Sequence, residues 1–140
     1  SMNRAVDGLK ARAGAIRIHL VGFSGGGAVA TLIAARRDDV ASLRTVAGNL
    51  DHKAVNAHHQ VDPQRGSLNA IDVAPALARL PQIHFSGAED EVVPSFIAQS
   101  YVQAAGAGAC ARVAVIDGVS HAEGWTRRWR DLLRQPLPCS

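Results

Sequence analysis

The stretch Ile16-Arg17-Ile18-His19-Leu20-Val21-Gly22-Phe23-Ser24-Gly25-Gly26-Gly27 passes from an apolar, β-branched run straight into three glycines. Ile16 to Phe23 reads as a buried strand. A helix follows to about Arg37, with Ala28, Val29, Leu32, Ile33 and Ala35 on the face toward a sheet. At the junction, Gly22-Phe23-Ser24-Gly25-Gly26 matches G-x-S-x-G. A serine at so tight a strand-to-helix turn takes a strained backbone. Glycines at 22 and 26 are expected to remove the collisions and leave the hydroxyl projecting above the sheet. The helix N-terminus supplies free N–H groups, so the Gly25 N–H can meet a developing oxyanion.

Working outward, short β-type runs alternate with amphipathic helices. Residues 3–13 read as a helix ending at Gly14, and Leu43 to Ala47 as a second strand. A polar, irregular stretch is expected from Asp51 to Leu68, then a short helix from Val73 to Leu80 closed by Pro81. Gln82 to Ser86 reads as a third strand, and Pro94-Ser95 open a helix that buries Ile97, Tyr101, Ala104 and Ala105 and stops at Gly106. Ala111 to Ile116 reads as a fourth strand, and a last helix runs from about Ala122 to Arg134 with Trp125, Trp129, Leu132 and Leu133 on one face. Strands separated by helices imply one α/β domain over residues 1–140, a parallel sheet of about four strands with flanking helices. Sites in such sheets lie beyond the carboxyl ends of the strands. That directs attention to residues 22–27, 87–94 and 117–125.

The glycine run admits a second reading. Gly25-Gly26-Gly27-Ala28-Val29-Ala30 satisfies G-x-G-x-x-A, a variant of the NAD(P)-binding fingerprint, with Asp51 as the ribose-binding acid. Asp51 arrives late for that role, 26 residues after Gly25.

A serine nucleophile needs a base, and the base needs a carboxylate to orient it. The third strand leads into Gly87-Ala88-Glu89-Asp90-Glu91-Val92-Val93-Pro94, and the fourth into Asp117-Gly118-Val119-Ser120-His121. G-x-x-D-x-x-V-P after one strand and G-x-x-H after the next resemble the acid and base loops of the α/β-hydrolase family, serine esterases and lipases among them. The order Ser24, Asp90, His121 is that family's order, and the resemblance runs from Ile16 to the end of the chain. It implies Ser24 as nucleophile, His121 as general base and acid, Asp90 as the orienting carboxylate and Gly25 as an oxyanion donor. Phe23 and Trp125 would lie at the binding site. No cofactor is implied, and the substrate would be a small ester or acyl compound. Asp51 is the runner-up acid, since some relatives place the carboxylate after the second strand. A third reading keeps the scaffold but not the chemistry, as a binding or structural domain.

Other residues carry weaker signals. His52, His58 and His59 lack a metal-ligand spacing and read as solvated or as lining the site mouth. His19 and His84 fall within strands and read as satisfied core histidines. Arg127, Arg128, Arg130 and Arg134 crowd the last helix with Asp131 and two tryptophans interleaved, the pattern of a solvated face rather than a nucleic-acid surface. The chain is 47% apolar and 19% charged with a net charge of +3, which excludes a disordered polypeptide. No apolar run approaches the roughly 18 residues of a membrane span. Cys110 and Cys139 have neither CxxC nor metal spacing. They would be free thiols in a reducing compartment, or a bond tying down the tail in an oxidising one. Gly48-Asn49-Leu50-Asp51-His52 and Gly66-Ser67-Leu68-Asn69 look similar to bacterial hydrolases of the same family that are often exported, which suggests the cell envelope.

The pattern departs from the family in one respect. The family places several strands before the one bearing the nucleophile, and takes a second oxyanion donor from a loop after one of them. Here a single helix precedes Ile16. The chain is therefore expected to be the C-terminal part of the fold, with the Ile16–Phe23 strand an open edge. A missing N-terminal segment or a second copy would complete that edge.

Overall fold

A computed structural model describes residues 2–14, 17–62 and 68–140. The elements in order are α1 (Met2–Ala13), β1 (Ile18–Phe23), α2 (Gly25–Arg36), β2 (Val40–Val46) and α3 (His52–His58), then two 3-10 turns at Ala70–Val73 and Pro75–Leu77. They are followed by β3 (Gln82–Gly87), α4 (Ser95–Ala105), β4 (Ala111–Ile116) and α5 (Trp125–Leu133). The four strands form one parallel sheet in the order β1-β2-β3-β4. Phe23 pairs with Val46, Val46 with Phe85, and Phe85 with Ala114, so the strands end nearly level and their following loops gather on one rim.

β3 is buried along its whole length, as a central parallel strand should be. Its odd-numbered residues Ile83 and Phe85 join Val46, Ile116, Val119, Trp125 and Leu132 in the core beneath α5. The opposite face carries α2, the 3-10 turns and α4. There Leu50, Val55, Ala70, Ala74, Val93, Ile97, Tyr101 and Ala105 pack together. The polar side chains of β3 point into this second layer and satisfy one another. The Tyr101 hydroxyl donates to Gln82 Oε1 at 2.9 Å, and His84 Nε2 lies 2.9 Å from the same oxygen. His84 Nδ1 lies 2.7 Å from the Thr45 hydroxyl. Complete burial pushes the His84 pKa down to about 3, so the ring is neutral, donates from Nε2 and accepts at Nδ1.

β1 is different. His19, Val21 and Phe23 are exposed on the face that β3 covers with α5, and β1 pairs on one side only. His19 is thus not a core histidine. Its ring meets the Ser42 hydroxyl at 2.5 Å at the open end of the sheet. α1 buries no side chain and is fastened by charge instead. Arg37 clasps Asp39 in a two-point ion pair, with both contacts at 2.8 Å, and reaches Asp7 at 2.7 Å, while Lys10 meets Asp39 at 2.6 Å. Hydrogen bonds from Arg37 and then Lys10 hold the Asp39 carboxyl well below the usual carboxylate range.

The elements depart from the sequence expectations where backbone chemistry intervenes. The stretch after Asp51 contains α3, because the Asp51 side chain accepts from Ala54 N and caps a helix whose buried residue is Val55. Residues 63–67 of that stretch, and Ile16 ahead of β1, lie outside the described residues. The helix expected over 73–80 is two 3-10 turns, since Pro75 has no N–H to continue a ladder. α5 starts three residues later than Ala122 because Gly124 is left-handed, with φ 98°. β2 begins earlier, at Val40, and ends at Val46, where Ala47 turns into the left-handed region.

Candidate active site

The turn between β1 and α2 holds Ser24 at φ 53°, ψ −121°, a region L-residues rarely enter. Three backbone bonds keep it there. Ser24 N–H donates to Val46 O at 2.9 Å, and Ser24 O accepts from Gly27 N at 3.0 Å and from Asn49 N at 3.1 Å. Gly22 is required sterically, because a Cβ there would stand 2.2 Å from Gly26 O. Gly26 is not, since a Cβ at that position meets open space. The third glycine supplies the second close approach, with a Cβ on Gly27 3.0 Å from Gly48 Cα. All three glycines of Gly25-Gly26-Gly27 lie inside the first turn of α2 rather than in a loop ahead of it. This is the wrong place for the phosphate cradle of a dinucleotide fingerprint.

Ser24 Oγ lies 3.1 Å from His121 Nε2, and His121 Nδ1 lies 2.9 Å from Asp90 Oδ2. The Asp90 side chain is fully buried and that of His121 is 20% exposed. Asp90 Oδ1 accepts from the backbone N–H groups of Val92 and Val93, each at 2.8 Å. Both oxygens of Asp90 are thus engaged, Oδ1 by two backbone N–H groups and Oδ2 by His121, so the carboxylate is fixed in orientation. With Nδ1–H donating to Asp90, Nε2 carries the free lone pair and can accept the Ser24 proton. Glu89 and Glu91, flanking Asp90, are both exposed. Asp51 is elsewhere: its Oδ1 caps α3 and accepts from Asn69 Nδ2 at 2.9 Å. The acid that meets His121 is Asp90, not Asp51. As the first residue of α2, Gly25 has an N–H with no intrahelical acceptor, and the residue is exposed beside Ser24.

Phe23 is half exposed with its ring centroid 5.4 Å from that of His121. Trp125 is buried, and its indole N–H donates to His121 O at 3.0 Å. Its one polar group is therefore taken by the His121 loop, and its ring borders an apolar groove of about 300 Å³. Val21, Phe23, Val46, Thr126 and Trp129 complete that groove. His59 Nε2 donates to Val92 O at 2.7 Å, and the His58 ring meets those of His59 and Phe96 edge to face. Among the described residues no group of three or more His, Cys, Asp or Glu side chains is gathered as a metal would need. No helix among them is long and apolar enough to cross a membrane. Cys110 and Cys139 are joined in a disulfide, a pairing the sequence left open. Sequence reasoning also missed the brace from Asn49 to Ser24. The Gly48-Asn49 turn at the end of β2 was its one signal.

No protein-family model and no curated protein matches the chain. Solved structures do. A serine hydrolase homologue from Coxiella burnetii superimposes over 94% of this chain with a TM-score of 0.65 at 20% identity, the match covering 52% of that protein. An esterase from Pyrococcus furiosus gives a TM-score of 0.77 at 13% identity over 94% of this chain and 58% of its own. A monoacylglycerol lipase from Paleococcus ferrophilus gives 0.67 at 11% identity over 94% of this chain and 72% of its own. The chain thus spans about half the length of the first of these. Its four-stranded parallel sheet with flanking helices is that of the α/β-hydrolase fold, of which it forms a part.

Proposed function

We propose that the chain carries the catalytic residues of a serine hydrolase acting on an ester, thioester or amide through an acyl-Ser24 intermediate. The observation that carries this reading is the continuous chain Ser24 Oγ–His121 Nε2–His121 Nδ1–Asp90 Oδ2, with contacts of 3.1 and 2.9 Å. His121 takes the Ser24 proton as Oγ attacks the carbonyl carbon, and returns it to the leaving oxygen, sulfur or nitrogen as the tetrahedral adduct collapses. Water, deprotonated by the same imidazole, then releases the acid and restores Ser24. Asp90 keeps the proton-bearing Nδ1 fixed and balances the imidazolium charge. The Gly25 N–H is one oxyanion donor. Phe23, exposed beside His121, is the side chain assigned to substrate contact.

Esters rank first as substrates, followed by amides. The similar structures include an esterase and a lipase, and also a puromycin-hydrolysing peptidase from Mycobacterium tuberculosis. The disulfide suits an oxidising compartment such as the cell envelope. In the family it resembles, a second oxyanion donor follows an earlier strand, and β1 is the first strand among the described residues. Lack of one donor costs ~10²–10³ in turnover, so these 140 residues alone should hydrolyse p-nitrophenyl acetate far more slowly than an ordinary serine esterase.

The deciding experiment treats the chain with a fluorophosphonate and locates the adduct by mass spectrometry. Ser24 should carry it, and Ser24→Ala should carry none. Absence of an adduct together with thermal stabilisation by NAD(P) would favour the nucleotide-binding reading instead.

A further inference from the structure

We infer that the Cys110–Cys139 disulfide is a redox-sensitive brace for His121, acting through α5 and the positioning residue Trp125; this rests on the serine-hydrolase reading above. Cys110 stands immediately before β4 and Cys139 six residues after α5. The bond closes a segment with a sequence separation of 29, and that segment holds β4, the His121 loop, α5 and the tail. Ser24 and Asp90 lie outside it. The one triad member inside the covalent loop is the one that must move a proton.

Few side chains seat α5, with Trp129 packed part-buried against the core. Of its nine residues only Trp125 and Leu132 are buried. Trp125 nonetheless holds the backbone of the base loop, through its indole N–H to His121 O at 3.0 Å, while Asp90 holds the ring. The tail behind α5 turns back over the sheet. Leu137 packs on the core that contains Trp125, and Arg112 of β4 donates to Gln135 Oε1 at 2.9 Å and to Pro136 O at 3.3 Å. The two sulfurs belong to unequal ends. Cys110 is fully buried, its N–H donating to Ala78 O at 2.7 Å and its carbonyl accepting from Gln82 N at 2.9 Å. Cys139 lies on the surface with φ 62°, a left-handed backbone that costs a non-glycine residue energy unless something holds it. The bond therefore ties a surface residue of the tail to a fully buried one at the start of β4.

A dithiol reductant would open it from the exposed end. Its thiolate attacks Cys139 Sγ and expels the Cys110 thiolate. Its second thiol then displaces Cys139, so that the reductant leaves as a cyclic disulfide and both cysteines become thiols. The tail then keeps only the Leu137 contact and the Arg112 hydrogen bonds, α5 and Trp125 are held less firmly, and His121 Nε2 spends less time in reach of Ser24 Oγ.

The test compares the second-order rate of Ser24 labelling by a fluorophosphonate in the oxidised chain, in the chain reduced with dithiothreitol, in Cys139→Ser and in oxidised Trp125→Phe. Far-ultraviolet circular dichroism is recorded at the same temperature. The brace predicts a ~10-fold or greater loss of rate on reduction with the fold retained, the scale of a misplaced catalytic group. It also predicts a smaller loss in Trp125→Phe, a flattened pH profile of labelling in both, and recovery of the reduced chain on reoxidation. Equal rates in oxidised and reduced chains, or an unaffected Trp125→Phe, overturn the brace and leave the hydrolase reading standing. Unfolding on reduction reduces the bond to a plain structural cross-link and also overturns it. Failure of the oxidised chain to label at Ser24 removes the hydrolase reading, and the brace with it.

Discussion

The backbone N–H of Glu89 donates to the carbonyl of Val119 at 3.0 Å, a backbone bond that joins the loop that carries Asp90 to the loop that carries His121. The two loops touch so closely that no side chain fits between them. A Cβ on Gly87 would stand 2.3 Å from Val119 O and 2.9 Å from Ser120 O, all backbone that cannot swing aside. Gly87→Ala should therefore part Asp90 from His121. The expected cost is about 1–3 kcal/mol or more in denaturant stability, with Ser24 labelling reduced more than the melting point alone would explain. Gly26→Ala, facing open space, serves as the matched control and should remain stable.

The triad reading makes a graded prediction. Asp90→Asn keeps the shape but supplies an N–H where His121 Nδ1–H needs an acceptor, which favours the wrong tautomer. A loss of up to ~10⁴ in hydrolysis is expected, the size seen when a triad carboxylate is so replaced in a serine protease. Asp51→Ala should leave hydrolysis nearly unchanged and cost stability through loss of the α3 cap, about 1 kcal/mol. Steady-state hydrolysis beside chemical denaturation separates the two. The reverse pattern would move the acid to Asp51.

Acid should weaken the fold through His84. Its folded pKa, about 3, lies below the ordinary histidine value near 6.5. Between those limits the unfolded chain binds the extra proton, so stability is complete above pH 6.5 and drains as pH falls toward 3. The slope approaches about 1.4 kcal/mol per pH unit at most. Denaturation midpoints at pH 7.0, 5.5 and 4.5 should fall in that order, and His84→Gln should flatten the trend. Asp39 does not blur the comparison, because its own contribution is lost only below the ordinary carboxylate value near 3.9.

The open edge of the sheet should show itself in solution. Val21 is 48% exposed and Phe23 49%, beside a strand paired on one side only. Such an edge recruits another strand, so the chain should self-associate with rising concentration in light-scattering measurements. Val21→Lys, which places a charge on that face, should shift it toward monomer. A wild-type chain that stays monomeric at high concentration would contradict an edge completed by a second copy.

Much of this was legible in the sequence because it depends on local chemistry. The strand-then-glycine run pointed to a tight strand-to-helix turn at Ser24, and the loops after β3 and β4 singled out Asp90 and His121, which the fold brings within hydrogen-bonding distance of each other and of Ser24. Those signals reside in residue type and spacing, which the chain carries without folding. The number and parallel arrangement of the strands followed from helices alternating with apolar runs. What only the tertiary structure decided depends on partners distant in sequence. Asp51 and Asp90 are both acids in loops after strands, and folding alone turned one toward Asn69 and the other toward His121. His19 and His84 both stand in strands, yet one lies on an open edge and the other is sealed between Thr45 and Gln82. The brace from Asn49 to Ser24 and the bond from Cys110 to Cys139 are likewise matters of where the chain returns. Periodicity names the faces of each element. Which loop, helix or edge each face meets is settled by the packing of the whole sheet.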